Sequence, residues 1–238
     1  MIIDVFYPCI HDGFTPQNRE NLLKILAHVG DQASDVIQPL CCGQKAYLSG
    51  YPLLAKSYGE IFVKRYETNR PLITASTSCL GYMRKYYTQF FFNTSLHNEL
   101  KQFQANSYDI TQYLVNVKKQ SGIGAEFEGI VSYYKTCSAS QKCNLEDEAE
   151  ILLKNVSSLT LTDYKSTNCC GSGGKFPTNH PEYAEKLALI ELQLMMDKGT
   201  QYITATDAQC LAHFQKIIDK HKFTIKTIHI IDILASGY

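Results

Sequence analysis

The chain has no surplus of charge of either sign: lysine plus arginine and aspartate plus glutamate each number 23 among 238 residues. Bulk electrostatics therefore predicts neither a nucleic-acid partner nor an anionic membrane, and binding must be local. No apolar run approaches the roughly 18 residues that suggest a membrane helix, so no transmembrane segment is expected. The opening residues Met1-Ile2-Ile3-Asp4-Val5-Phe6-Tyr7 lack a basic region and carry an early aspartate, which argues against a secretory signal. A cytoplasmic chain is the expectation, and in that compartment thiols stay reduced. With 45% apolar and 19% charged residues, nothing marks disorder.

Familiar catalytic signatures are missing as well. There is no G-x-G-x-x-G, Walker loop, G-x-S-x-G, H-E-x-x-H or C-x-x-C-H. Gly171-Ser172-Gly173-Gly174-Lys175 has glycines and a lysine, but in the wrong order for cradling phosphate. None of the seven histidines has metal-site spacing with another. His11 and His213 follow cysteines closely and are read as neighbours of a site, not ligands.

What the chain does have is cysteine in a repeat. Cys41-Cys42-Gly43 and Cys169-Cys170-Gly171 are each preceded, 32 positions earlier, by a lone cysteine, Cys9 and Cys137. A further cysteine follows each pair, in Ser76-Thr77-Ser78-Cys79 and Asp207-Ala208-Gln209-Cys210. Eight of the nine cysteines belong to this pattern. Free cysteine is a frequent core residue, and Cys143, outside the repeat, is read that way. Two matched Cys-Cys-Gly triplets are harder to derive from packing alone.

Apolar periodicity repeats in step. In the first half, strands are expected at residues 2–8, 35–39 and 72–75, with helices after Thr15-Pro16, after Tyr51-Pro52 and after Ser107. In the helix after Tyr51-Pro52, Leu54, Tyr58, Ile61 and Phe62 would share the inner face. The aromatics from Tyr82 to Phe92 read as core or interface. In the second half, strands are expected at 129–134, 159–161 and 202–205, with helices over 146–156 and 181–198. Residues 118–125 are polar and glycine-containing and mark the boundary between lobes at 1–117 and 127–238. The fold class is α/β, with two pseudo-repeated lobes, each a small, mainly parallel sheet flanked by helices. All eight repeat cysteines then fall in loops at strand C-termini, where such sheets place their sites.

A parallel lobe brings successive strand ends together, so four thiolates per lobe could meet. Adjacent cysteines on a turn point in different directions and suit a multinuclear cluster better than one ion. Gly43 and Gly171 would let the backbone pass close and aim N–H groups at sulfur. Soft thiolates select iron–sulfur clusters, zinc or copper(I), and four thiolates commonly hold a 4Fe–4S cluster. Two other classes remain open on these residues: a zinc-stabilised scaffold and a thiol–disulfide redox protein.

The pattern Cys9, Cys41-Cys42-Gly43, Cys79 and Cys137, Cys169-Cys170-Gly171, Cys210 resembles the tandem cysteine-rich (CCG) domain family. That family includes the cysteine-rich component of heterodisulfide reductase, the glycolate oxidase iron–sulfur subunit and the lactate utilisation group. Ser78-Cys79-Leu80-Gly81-Tyr82-Met83 and Ala205-Thr206-Asp207 before Cys210-Leu211 resemble the local motifs of the last group, as does the chain's length. The resemblance implies an iron–sulfur electron-transfer subunit of a complex oxidising L-lactate to pyruvate, partnered by other subunits including a second iron–sulfur protein. It implies the eight cysteines as ligands, and nothing in the sequence looks like a lactate-binding or flavin site of its own. The fullest form of the motif ends each half in Cys-x-x-Cys, but here Ser76 and Asp207 stand at the first cysteine's place. The departure implies one smaller cluster per lobe, or a filled site in one lobe, and not heterodisulfide reduction. Asp207 would be an oxygen ligand or hydrogen-bond partner and Ser76 a neighbour of the site. Capping the turn that follows is the alternative for both.

Overall fold

The computed structural model describes residues 1–34, 40–66 and 69–238, so the strand expected at Asp35 to Pro39 lies outside the described residues. Two four-stranded parallel sheets form the frame. The first contains β1 (Ile2–Phe6), β2 (Gln32–Ala33), β3 (Leu72–Thr74) and β4 (Ser107–Asp109) in the order β2-β1-β3-β4. The second contains β5 (Glu126–Tyr133), β6 (Ser157–Leu161), β7 (Tyr202–Ala205) and β8 (Lys226–His229) in the order β6-β5-β7-β8. The orders are the same once the second set is renumbered. In each sheet the strand that precedes a lone cysteine is central: Val5 lies opposite Ile73, and Ser132 opposite Ile203.

The strands are rich in β-branched and aromatic residues because helices cover both sheet faces, leaving little need for alternating polar positions. Ile3, Val5, Phe6, Leu72, Ile73 and Ile203 are all buried. Of the long helices Pro52–Arg65, Thr77–Phe91, Pro181–Met196 and Ala208–His221, the first and third come after the Cys-Cys-Gly turns, and the second and fourth carry Cys79 and Cys210 in their first turns. Prolines open the first and third of them, where no intrahelical N–H is lost.

Two local expectations are corrected. Ser107 lies in β4 and does not cap a helix; Asp109 does that two residues on, its carboxylate accepting from Thr111 N at 2.9 Å. Pairing with β3 (Ile73 opposite Tyr108) outweighs the helical spacing of Ile110 and Leu114, which survives as the short helix Ile110–Gln112 and a wide turn. In Pro52–Arg65 the buried face is Ala55, Gly59, Phe62 and Val63, whereas Leu54 and Ile61 are exposed. The small residues mark the close face, for a Cβ on Gly59 would stand 3.0 Å from the Phe91 ring.

The lobes share their interior. One core cluster runs from Ile3, Leu22 and Ile25 through Ile110 and Leu114 to Val131, Leu152 and Ile230. Packing is reciprocal: Ile110–Gln112 lies on Glu148–Lys154 of the second lobe, and Ile230–Leu234 lies on Asn18–His28 of the first. At the centre Thr77 N donates to Thr206 O at 3.2 Å, and the Thr77 hydroxyl meets those of Thr136 and Thr206 at 3.3 Å each.

Candidate functional site: two cysteine nests with a common wall

Cys9 follows β1 and opens the short helix Cys9–Phe14. Cys41 and Cys42 arrive after Leu40, which pairs with Pro8 in an isolated parallel bridge beside β1. Cys79 sits in the first turn of Thr77–Phe91, just past β3. The ends of neighbouring parallel strands thus bring Cys9, Cys41, Cys42 and Cys79 to one cavity of about 510 Å³. Cys42 and Cys79 are its buried inner pair, Sγ to Sγ 3.3 Å, and Cys9 is exposed at the mouth.

The second lobe repeats the construction with Cys137, Cys169, Cys170 and Cys210 around a cavity of about 320 Å³. Its inner pair, Cys170 and Cys210, is 3.1 Å apart, and Cys169 is exposed. The two cavities are adjacent. Gln44, Leu48, Ser78, Ser172, Gly174 and Gln209 line both of them.

The turn after each pair explains its glycine. Gly43 has φ 81° and Gly171 φ 84°, the left-handed region that glycine enters without cost. A Cβ at Gly43 would come 3.0 Å from the Ala55 carbonyl, and one at Gly171 2.9 Å from Ala184 backbone atoms. That backbone turn aims an N–H at the first sulfur of each pair: Gly43 N to Cys41 Sγ is 3.3 Å, and Gly171 N to Cys169 Sγ is 3.5 Å.

Within each nest the protons are unevenly held. Cys41 is drawn down to about 6, by the hydrogen bond from Cys9 first and then by Gly43 N–H and the Lys45 charge against the opposing effect of burial. Cys169 is drawn down as well, by Cys137, Cys170, Gly171 N–H and His213. The thiols that share those protons go up: Cys9 through Cys41, Cys137 through Cys169, Cys79 through Cys42, and Cys170 through Cys169 and Cys210, with burial adding to each. Each nest therefore favours a thiolate on the first sulfur of its pair, Cys41 and Cys169, the species that binds metal.

This donor set fits a soft-metal or iron–sulfur group. It provides four thiols per lobe, a backbone N–H on the most acidic sulfur, and open volume next to all four. Among the described residues no group of three or more His, Cys, Asp or Glu is already gathered for a single ion. Inner sulfurs at 3.1–3.3 Å are in thiol contact, inside the about 3.8 Å edge of a zinc tetrahedron with 2.3 Å arms. Any ligation would spread them.

Ser76 and Asp207 both cap helices. Ser76 accepts from Cys79 N at 3.5 Å and pairs with the Ser78 hydroxyl at 3.2 Å, while Asp207 accepts from Gln209 N at 3.0 Å. Asp207 also lines the second cavity, and burial pushes its carboxyl up. His11 is buried outside both cavities, its Nδ1 2.6 Å from Thr15 Oγ1 and its ring edge-on to His229. The His213 ring bonds to Ala184 O at 3.3 Å. Cys143 is buried in the core of the first lobe's cluster and donates to Thr77 O at 3.3 Å.

Several residues that hold the nests escaped sequence reasoning. Tyr87 donates to Cys42 O at 2.7 Å, and Tyr134 to Asn168 O at 2.8 Å. Glu191, wholly buried, accepts from Tyr164 OH and from the backbone N–H groups of Thr167 at 3.2 Å and Asn168 at 2.7 Å, the two residues before Cys169. Its signal was present in the sequence, as a lone acid within Leu189-Ile190-Glu191-Leu192.

Parallel strand ends that collect four sulfurs twice over define a tandem cysteine-rich protein. The profile of the cysteine-rich domain CCG matches residues 3–84 and again 131–215, and the chain belongs to that family. Over its length it is similar to lactate utilization protein A of Bacillus cereus strain G9842, 27% identical across 237 residues that cover 99% of each chain. Lactate utilization protein A of Bacillus thuringiensis strain Al Hakam matches with the same identity and coverage. A solved structure, allantoin racemase from Pseudomonas fluorescens, overlaps at a TM-score of 0.32 and 10% identity, covering 98% of this chain and 87% of that one, too loosely to support any argument. Among the described residues no helix is long and apolar enough to cross a membrane.

Proposed function

We propose that the chain is a cytoplasmic iron–sulfur electron-transfer subunit of a lactate-oxidising complex, with other subunits of that complex, including a second iron–sulfur protein, as its partners. The carrying observation is the convergence of eight cysteines into two four-sulfur nests with a common wall. The proposed ligands are Cys9, Cys41, Cys42 and Cys79 in a first lobe spanning 1–117, and Cys137, Cys169, Cys170 and Cys210 in a second spanning 127–238. A 4Fe–4S cluster in each nest would supply reversible one-electron chemistry.

The chain's own residues do the rest. Gly43 and Gly171 bring N–H donors to sulfur, so part of the thiolate charge is met by fixed dipoles without a counter-ion. The buried inner pairs keep water from half of each nest, while Cys9 and Cys169 leave an exposed edge where a partner's redox centre can approach. Ser78, Ser172 and Gln209 in the common wall give the two sites a short separation and a polar path. Ser76 and Asp207 hold the helix starts that carry Cys79 and Cys210. The relatives named for lactate utilisation support the substrate of the complex.

Anaerobic purification with iron and acid-labile sulfide quantitation tests this reading. The protein should be brown, and Cys42→Ser and Cys170→Ser should each lose about half the iron, as one four-thiolate site per lobe requires. Colourless protein carrying zinc, or metal-free protein active in thiol exchange, would replace the proposal with one of its rivals.

A further inference from the structure

The residue after each Cys-Cys-Gly triplet differs between lobes, Gln44 in the first and Ser172 in the second. Ser172 is buried, with its Oγ 3.1 Å from Cys170 Sγ and 3.7 Å from Cys210 Sγ. Gln209 fixes it in place, its side-chain amide donating to Ser172 O at 2.8 Å. As thiols the cysteines can donate to this hydroxyl. Deprotonated to bind metal, they have no hydrogen to give, and the freely rotating O–H must donate to sulfur.

The first nest has no such arrangement. Among the described residues, no hydroxyl bonds to both Cys42 and Cys79. Ser76 lies on the Cys79 side alone, where its hydroxyl bonds to that sulfur and is also engaged by Ser78 and Cys79 N. Hydrogen bonds to the sulfurs of an iron–sulfur centre are one of the protein's levers on its potential, because they draw off charge that grows on reduction.

Resting on the iron–sulfur reading, we propose that Ser172 is a positioning residue of the second site: its single O–H donates to the nearer Cys170 thiolate, with Cys210 as the alternative acceptor, and raises that site's reduction potential, leaving the first site unaffected although Ser172 lines both cavities. The lobes are thereby tuned separately by one side chain.

The test is a redox titration of the full chain, prepared anaerobically and followed by electron paramagnetic resonance, in wild type, Ser172→Ala and Ser172→Thr. Signals are assigned to lobes by their loss in Cys42→Ser and Cys170→Ser. In Ser172→Ala with full iron content, the second midpoint should fall, lowering its reduced-to-oxidised ratio at fixed potential by up to about tenfold, ~59 mV for one electron. The first midpoint should not move, and Ser172→Thr, which keeps the hydroxyl, should restore the second. Two loaded sites with an unchanged second midpoint, or equal shifts in both, would overturn the inference and leave the iron–sulfur reading standing. Loss of iron from the second site in Ser172→Ala would also overturn it, making the residue a structural prop. Wild-type protein without iron would refute the underlying function itself.

Discussion

Ala55 lies under Gly43 and Ala184 under Gly171, so the helices that back the two nests can be aligned residue by residue. Seven positions further along they part ways. The second lobe has Glu191, whose carboxylate ties down Tyr164, Thr167 and Asn168, while the first has Phe62, packed on Phe6, Tyr66 and Phe103 with ring centroids 4.7, 4.7 and 5.5 Å away. The sulfurs converge in both cases. Their placement is therefore a property of parallel strand ends and a left-handed glycine, and the backing can be directional hydrogen bonds or aromatic packing.

The largest effect that would sharpen this contrast is expected from Glu191→Ala. It strands the buried Tyr164 hydroxyl and the part-buried N–H groups of Thr167 and Asn168 and should destabilise the protein by about 3 kcal/mol in urea unfolding, with Glu191→Gln costing less because an acceptor remains. A loss under about 1 kcal/mol would break the comparison, since the carboxylate would then be no brace.

A smaller effect belongs to neither lobe but to the seam between them. Burial lowers His11 to about 4, and burial together with His11 puts His229 well below its ordinary value. Both are neutral in the fold, whereas the unfolded chain takes up protons below about pH 6.5, so stability is full above that pH and is lost as pH falls toward about 4. From pH 7 to pH 5 His11 alone should remove about 2 kcal/mol, measured as a falling urea midpoint at constant ionic strength. A flat profile would mean that the seam admits water.

The smallest effect tests two tyrosines that brace the cysteine loops from different elements, Tyr87 from Thr77–Phe91 and Tyr134 from just after β5. Tyr87→Phe removes the bond to Cys42 O and Tyr134→Phe the bond to Asn168 O, and each should cost about 1 kcal/mol without moving the far lobe's spectrum. A loss near zero in either variant would show that the bond to that loop carries no stability.

The central strands, the glycine turns and the gathering of sulfurs at strand ends were legible because each depends on short-range pattern: β-branched runs, Cys-Cys-Gly, and a helix start one turn later. The fourth strand of each sheet was not. β4 is three residues and β8 four, at sheet edges where neighbouring pairing, and not local periodicity, decides the conformation. The inner face of Pro52–Arg65 was misread because small residues there mark close approach, a signal that hydrophobic spacing ignores. Ser172 sits in a stretch that sequence reasoning weighed only against a phosphate loop, and its contact with Cys170 and Cys210 depends on Cys210, 38 residues on, being folded beside it.

The reciprocal seating of Ile110–Gln112 and Ile230–Leu234 makes the halves depend on each other. A half-length chain would leave an oily face bare where the other half's last helix now rests, and two identical copies related by a half-turn would cover that face for each other. The molecule thus has the form of a swapped pair of half-length lobes carried on one chain. Because both lobes lie on one chain, each position has its own residue in each lobe, and one backing helix carries Phe62 where the other carries Glu191.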